Sequence, residues 1–205
     1  MSHLQTRPRI DTWISASWDE YLRTLEDPIY KQAKGYYYKG HMRIEMSPVS
    51  FDHGKDHVVL IFAVSLFTAL KGIPATGLDT TTLRKKEMRE CQPDVSYYLG
   101  DRSQAIPSGT GIVNLDQYPA PNLVIEVAKS SLLDDVGTKR ALYEELGVSE
   151  YWVVDVQNAQ LLAYAIADQG SKQIQVSQVL PGLLLAVLEE ALRRSRETNQ
   201  SQMGA

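Results

Sequence analysis

Apolar positions along the chain recur with two different periods, and the switches between them mark out the elements. "SWDEYLRTLED" opens with Ser17 three residues before Glu20, a capping-box spacing that predicts an N-terminal helix. "GYYYKGHMRIEMS" predicts two strands joined by a tight turn at Lys39-Gly40. From about 50 to 70 the chain predicts a helix ended by Lys71-Gly72 and Pro74. Its apolar run, "VVLIFAVSLFTAL" at 58–70, is too short to span a bilayer and reads as a buried helix. "TGLDTTTLR" and "PDVSYYLG" are strand-like, rich in β-branched or aromatic residues. Residues 100–121, rich in Gly and Pro, predict a long loop.

"NLVIEVAKSS" at 122–131 then predicts a strand buried on both faces, as at the centre of a parallel or mixed sheet. "SSLLDDVGTKRALYEELG" predicts a helix ending at Gly147. "EYWVVDV" and "QLLAYAIA" are strands about a turn at Gln157-Asn158, "KQIQVSQ" is a short last strand, and "GLLLAVLEEALRRSRE" is a closing amphipathic helix. No repeat or linker divides the chain. The expected organisation is one α/β domain over 17–196, a mixed central sheet flanked by helices, between tails at 1–16 and 197–205.

Composition narrows this a little. A single cysteine, Cys91, excludes a disulfide framework and a cysteine zinc cluster, and suits a reducing cytoplasm. The opening residues lack the apolar core of a signal peptide, so a soluble cytoplasmic protein, not a membrane one, is expected. The net charge of −4 argues against a general nucleic-acid coat, which needs concentrated Lys and Arg. The basic stretch "LRKKEMRE", with Arg84, Lys85, Lys86 and Arg89, reads as a solvated hairpin tip.

Two carboxylates do not fit the pattern around them. Glu126 interrupts the most apolar strand, where an unpaired charge is very unfavourable. Asp94 starts a strand whose Val95, Tyr97 and Leu99 alternate with the face of Asp94 and Ser96. Acids on separate strands can converge across a sheet, and such a pair without an evident Arg partner suits Mg²⁺, which takes carboxylates, waters and phosphate oxygens. Taken singly, Asp94 could cap a turn and Glu126 could bond a backbone amide. His53 and His57 share a helix face, but no Glu follows His53 as a zinc HExxH requires; His53 could instead meet a substrate phosphate or orient a water. A nucleophilic-serine elbow and a phosphate-cradling Gly-rich loop are both absent. Asp155 reads as the cap of the following turn, and Trp152, Tyr151 and Tyr143 as core.

"QPDVSYYL", "PNLVIEVAKSS" and "KRALYEELGVSEYWVVD", with the earlier "HMRIEMSP", together resemble the Uma family of bacterial proteins assigned as endonucleases. The resemblance runs from about 18 to 156. It implies the restriction-endonuclease-like fold and a variant PD-(D/E)xK site in which acids bind Mg²⁺ or Mn²⁺ for phosphodiester hydrolysis. On it, Asp94 matches the acid of PD and Glu126 the acid of (D/E)xK, with Glu45 a further metal or water ligand; exposure on the hairpin is the equal alternative for Glu45. The pattern places lysine at residue 128, where this chain has Ala128. Lys129 points to the other face of a regular strand, leaving it at most a phosphate contact. Lys139, on the following helix, is the substitute that the resemblance suggests, although its spacing alone fits a solvated position equally well. The implied partner is nucleic acid, DNA foremost, and cutting two strands implies a homodimer. The rival expectation is a catalytically inactive nuclease fold that binds nucleic acid or regulates. A weaker one is an oligomeric scaffold paired through the "YYY" hairpin at 36–38.

Overall fold

Ser17 caps the first helix as its spacing requires: Glu20 accepts from the Ser17 backbone N–H at 2.7 Å and the Ser17 hydroxyl accepts from the Glu20 N–H. The computed structural model describes residues 10–46, 50–128, 131–167 and 170–197. A two-residue strand β1 (Ile14–Ser15) precedes helix α1 (Trp18–Glu26), and the hairpin β2 (Ala33–Tyr38) and β3 (His41–Met46) follows. Lys39 and Gly40 both take positive φ, the backbone of a tight primed turn. Helix α2 (Phe51–Lys71) starts at an N-capping Ser50 and stops at Gly72 in the left-handed region.

The "TGLDTTTLR" stretch is not one strand. It splits into β4 (Ala75–Asp79) and β5 (Leu83–Lys85), because Thr80 adopts φ 44° and its N–H bonds the Asp94 carbonyl at 3.0 Å, so the chain leaves one sheet and enters another. The basic stretch forms the hairpin of β5 and β6 (Arg89–Cys91). Next come β7 (Val95–Leu99), a loop holding a short 3-10 turn and the two-residue β8 (Val113–Asn114), and β9 (Leu123–Ala128). The short helix α3 (Leu132–Asp134) runs through a π-helical turn (Asp135–Lys139) into α4 (Arg140–Leu146). Strands β10 (Glu150–Asp155), β11 (Gln160–Ala167) and β12 (Gly170–Ile174) lead to α5 (Leu185–Glu197). The last strand therefore starts before the "KQIQVSQ" stretch and ends inside it, at Ile174. Asp155 caps its turn, accepting from the Gln157 N–H at 2.9 Å.

Among the described residues the strands form two six-stranded sheets. The larger core is the mixed sheet β12-β11-β10-β9-β7-β4, in which only β9 and β10 run parallel. The second sheet is β1-β3-β2-β6-β5-β8. One face of the mixed sheet (Val95, Leu123, Ile125, Trp152) packs against Val59, Leu60 and Val64 of α2 and Leu188 and Leu192 of α5. Its other face (Val124, Ala128, Tyr151, Val153) packs against Tyr36 and Leu83 of the second sheet and Leu142 and Tyr143 of α4. Strand β9 is thus buried on both sides, which explains its near-continuous apolar run.

Two further expectations need correction. The "YYY" hairpin offers no free edge: β2 lies between β3 and β6, and Tyr36, Tyr37 and Tyr38 are all buried. The apolar stretch 58–70 is not simply a buried helix, because α2 spans 21 residues, enough by length and composition to cross a bilayer, and keeps Val58, Phe62, Leu66 and Leu70 exposed. Its other face rests on the mixed sheet.

Candidate active site

Strand register decides the site. Strands β7 and β9 pair antiparallel with Val95 opposite Ile125, so Asp94, one residue before β7, stands opposite Glu126. Opposite residues of an antiparallel pair share a face. Here it is the face of Val124 and Ala128, turned toward the second sheet and α4. The backbone N–H of Val127 donates to Asp94 Oδ2 at 2.7 Å, tying the two strands together at this point. Asp94 and Glu126, each under 5% exposed, line a cleft of about 380 Å³ with Lys34, Arg43, Glu45, His53, Asp134 and Lys139.

Each acid has its own set of partners. Asp94 Oδ1 ion-pairs with the Lys34 amine and lies 3.6 Å from His53 Nε2. Burial pushes the Asp94 carboxyl up, but His53, Lys34 and the Val127 N–H outweigh it and hold it far below the usual range. Glu126 accepts from the Tyr143 hydroxyl at 2.6 Å and lies 3.1 Å from the Tyr36 hydroxyl, which also reaches the Gln92 carbonyl at 3.0 Å. Lys139 Nζ is 3.9 Å away. All three meet Oε1, and among the described residues Oε2 accepts nothing. Burial drives the Glu126 carboxyl up, Lys139 opposes this and Asp94 adds to the rise, leaving it at about 8.

Lys139 is fully buried, against the alternative of a solvated helix residue. The π-helical turn Asp135–Lys139 delivers it; such single-turn bulges are rare and concentrate at functional sites. Its Nζ stands 2.8 Å from Asp135 Oδ1, 3.0 Å from Glu45 Oε2 and 4.2 Å from the Tyr36 ring centre. The Asp135 contact is charge to charge rather than a well-aligned hydrogen bond. Burial lowers the Lys139 pKa, and Glu126, Asp135 and Glu45 together raise it well above its ordinary value, so the amine stays charged. Glu45 has both oxygens engaged, Oε1 by Arg43 Nε at 2.6 Å and Oε2 by Lys139.

Carboxylates outnumber fixed cations here. Asp11, Glu45, Asp94, Glu126 and Asp134 line the cleft and Asp135 adjoins it through Lys139, against Lys34, Arg43 and Lys139. A hard divalent cation fits such a surplus: an oxygen-only pair, one oxygen of Glu126 without a donor among the described residues, and a Glu126 carboxyl that burial and Asp94 push up. Among the described residues no three His, Cys, Asp or Glu side chains gather as a ligand cluster, so the pair Asp94–Glu126 would be completed by waters or phosphate oxygens.

A family model described as "Putative restriction endonuclease", Uma2, matches residues 18–199. The chain belongs to the Uma2 family. No curated protein matches it. It is similar to the crystal structure of "a putative nuclease belonging to DUF820" from Anabaena variabilis, with a TM-score of 0.62 at 16% identity, covering 82% of this chain and 93% of that one. At that identity the likeness is one of fold. In this Uma2 chain the residue-128 position holds a buried alanine, and among the described residues the nearest amine to Glu126 is that of Lys139.

The geometry brings together Asp94, Glu126, Glu45, Lys139 and His53; Lys129 lies outside the described residues. His57 shares the His53 face but turns to the Asp94 carbonyl, 3.1 Å from its Nε2. Sequence reasoning missed Lys34, Tyr36, Tyr143 and Asp135. A signal for two of them was present: a two-residue turn at Lys39-Gly40 sets Lys34 opposite Glu45 and Tyr36 opposite Arg43. Nothing local marks Tyr143, whose hydroxyl is aimed by the docking of α4 on the mixed sheet.

Proposed function

We propose that this cleft hydrolyses phosphodiester bonds of nucleic acid, DNA being the expected substrate, with Mg²⁺ or Mn²⁺ held by Asp94 and Glu126. The observation that carries the reading is the register of β7 and β9, which sets two buried acids side by side in a cleft with surplus negative charge. A bound divalent cation supplies the charge that acidifies an attacking water and polarises the scissile phosphate. Lys139, fixed by Asp135 and Glu45, takes the place of the lysine missing at residue 128 and stabilises charge developing on the phosphoryl oxygens. Glu45 positions Lys139 rather than ligating. Lys34 neutralises Asp94 and offers a second amine to a phosphate oxygen. His53 steadies Asp94 from α2 through Nε2, 3.6 Å from Oδ1.

One observation favours a second reading, an inactive nuclease fold that binds or regulates: Lys34 already neutralises Asp94 within the chain, and residue 128 is alanine. Plasmid and branched DNA incubated with Mg²⁺ or Mn²⁺ separate the two. On the first reading the protein cuts, Asp94→Asn and Glu126→Gln do not, and calorimetric Mn²⁺ binding disappears in Asp94→Asn while remaining in the exposed-site control Glu87→Gln. Cleavage persisting in Asp94→Asn refutes the assignment; neither cleavage nor Mn²⁺ binding by the unaltered chain leaves the second reading.

A further inference from the structure

Helix α2 presents two apolar faces, and among the described residues only one of them is covered. The covered face carries Val59, Leu60 and Val64. On the other side Phe51 is 80% exposed, Val58 50%, Phe62 55%, Leu66 42% and Leu70 76%. These positions follow helical spacing, so they form one stripe roughly 28 Å long at 1.5 Å per residue. Between Gly54 and Leu70 every exposed residue of the helix is uncharged, Lys55 and His57 being half-buried. A solvated helix face ordinarily carries charge instead.

We infer that this stripe is the contact surface for a second copy of the chain, with two α2 helices packed antiparallel about a two-fold axis near Phe62. Area supports it. The five side chains present on the order of 500 Å², at the upper end of a monomer's largest apolar patch. Two copies meeting there cover about 1,000 Å² from these residues alone, the threshold of a specific interface. The helix ends support the antiparallel sense: Asp52 occupies the first turn and Lys71 the last, so antiparallel packing brings unlike charges and opposed helix dipoles together. A lipid surface fits less well. Membrane-lying helices pair their apolar stripe with a Lys- and Arg-rich polar face. Here the opposite face is buried in protein, and Lys55 beside the stripe is bonded to the Ser195 carbonyl.

Sedimentation velocity on the full chain tests this without reference to nuclease activity. The unaltered chain is expected at twice its 23.0 kDa mass. Phe62→Glu, at an exposed position, raises the dimer dissociation constant by about 30-fold or more, the effect of losing one hot-spot aromatic. Leu70→Lys is the second variant should the first fail to fold. Because Cys91 is buried, oxidative cross-linking of Phe62→Cys reports on the axis: it forms a covalent dimer, whereas Leu70→Cys, remote from its symmetry mate, does not. A chain that is monomeric at micromolar concentration, or that binds phosphatidylglycerol vesicles while staying monomeric, overturns the proposal. Cross-linking at residue 70 but not at 62 overturns the antiparallel arrangement.

Discussion

Replacing Glu126 by Gln tests the electrostatic account of the cleft most directly. Gln keeps an oxygen to accept from Tyr36 and Tyr143 but removes the titration. In the unfolded chain the Glu126 carboxyl ionises near its ordinary value of 4.5, and in the fold burial holds it at about 8. Between those values the folded state keeps a proton that the unfolded state has lost. Stability therefore falls as pH rises through this window, by about 1.4 kcal/mol per pH unit from this group. The side chain is fully buried, so solvent screening takes away little, but cleft water and relaxation reduce the total to roughly 3–5 kcal/mol. Urea unfolding of both proteins between pH 4.5 and 8.5, compared as a difference, cancels the other titrating groups. The difference should move steadily against the unaltered chain up to pH 8 and flatten above it. Parallel curves across the window would refute the claim that Glu126 is buried without sufficient positive charge. Added Mn²⁺ should restore stability to the unaltered chain at pH 8 and leave Glu126→Gln unchanged, since a ligand stabilises only the state that binds it.

Further predictions follow from the same contacts. Asp94→Ala strands the buried Lys34 amine and should cost about 3–5 kcal/mol, while the double change Asp94→Ala with Lys34→Met recovers much of it; denaturant midpoints decide. Ala128→Lys, which would place an amine two residues beyond Glu126 on its strand, should destabilise by about 1–3 kcal/mol, because the position is buried against α4 and a charged amine already stands near Glu126; an unchanged melting temperature would show room there. Gly35→Ala should cost about 1–3 kcal/mol, since the added Cβ overlaps the Tyr21 hydroxyl that donates to buried Glu90 at 2.8 Å.

What the sequence determined by itself was local. Ser17 and Glu20, Lys39-Gly40, Ser50 with Gly72, and Gly147 placed caps and turns because those interactions span only a few residues. The interruption of an apolar strand by Glu126, and Asp94 at the head of another, pointed to the two acids of the cleft, since a charge amid apolar neighbours requires a partner wherever the strand lies. Three things needed the tertiary structure. Thr80 divides one apparent strand between two sheets, and the deciding bond comes from Asp94, 14 residues on. Lys34 and Lys139 reach the acids from a hairpin and a π-helical turn 60 and 94 residues distant from their partners Asp94 and Glu45, and a lysine in sequence looks the same whether solvated or buried. The bare face of α2 was hidden for a related reason: the stretch 58–70 carries no charged residue to show which face the sheet takes, so only packing reveals the one left over.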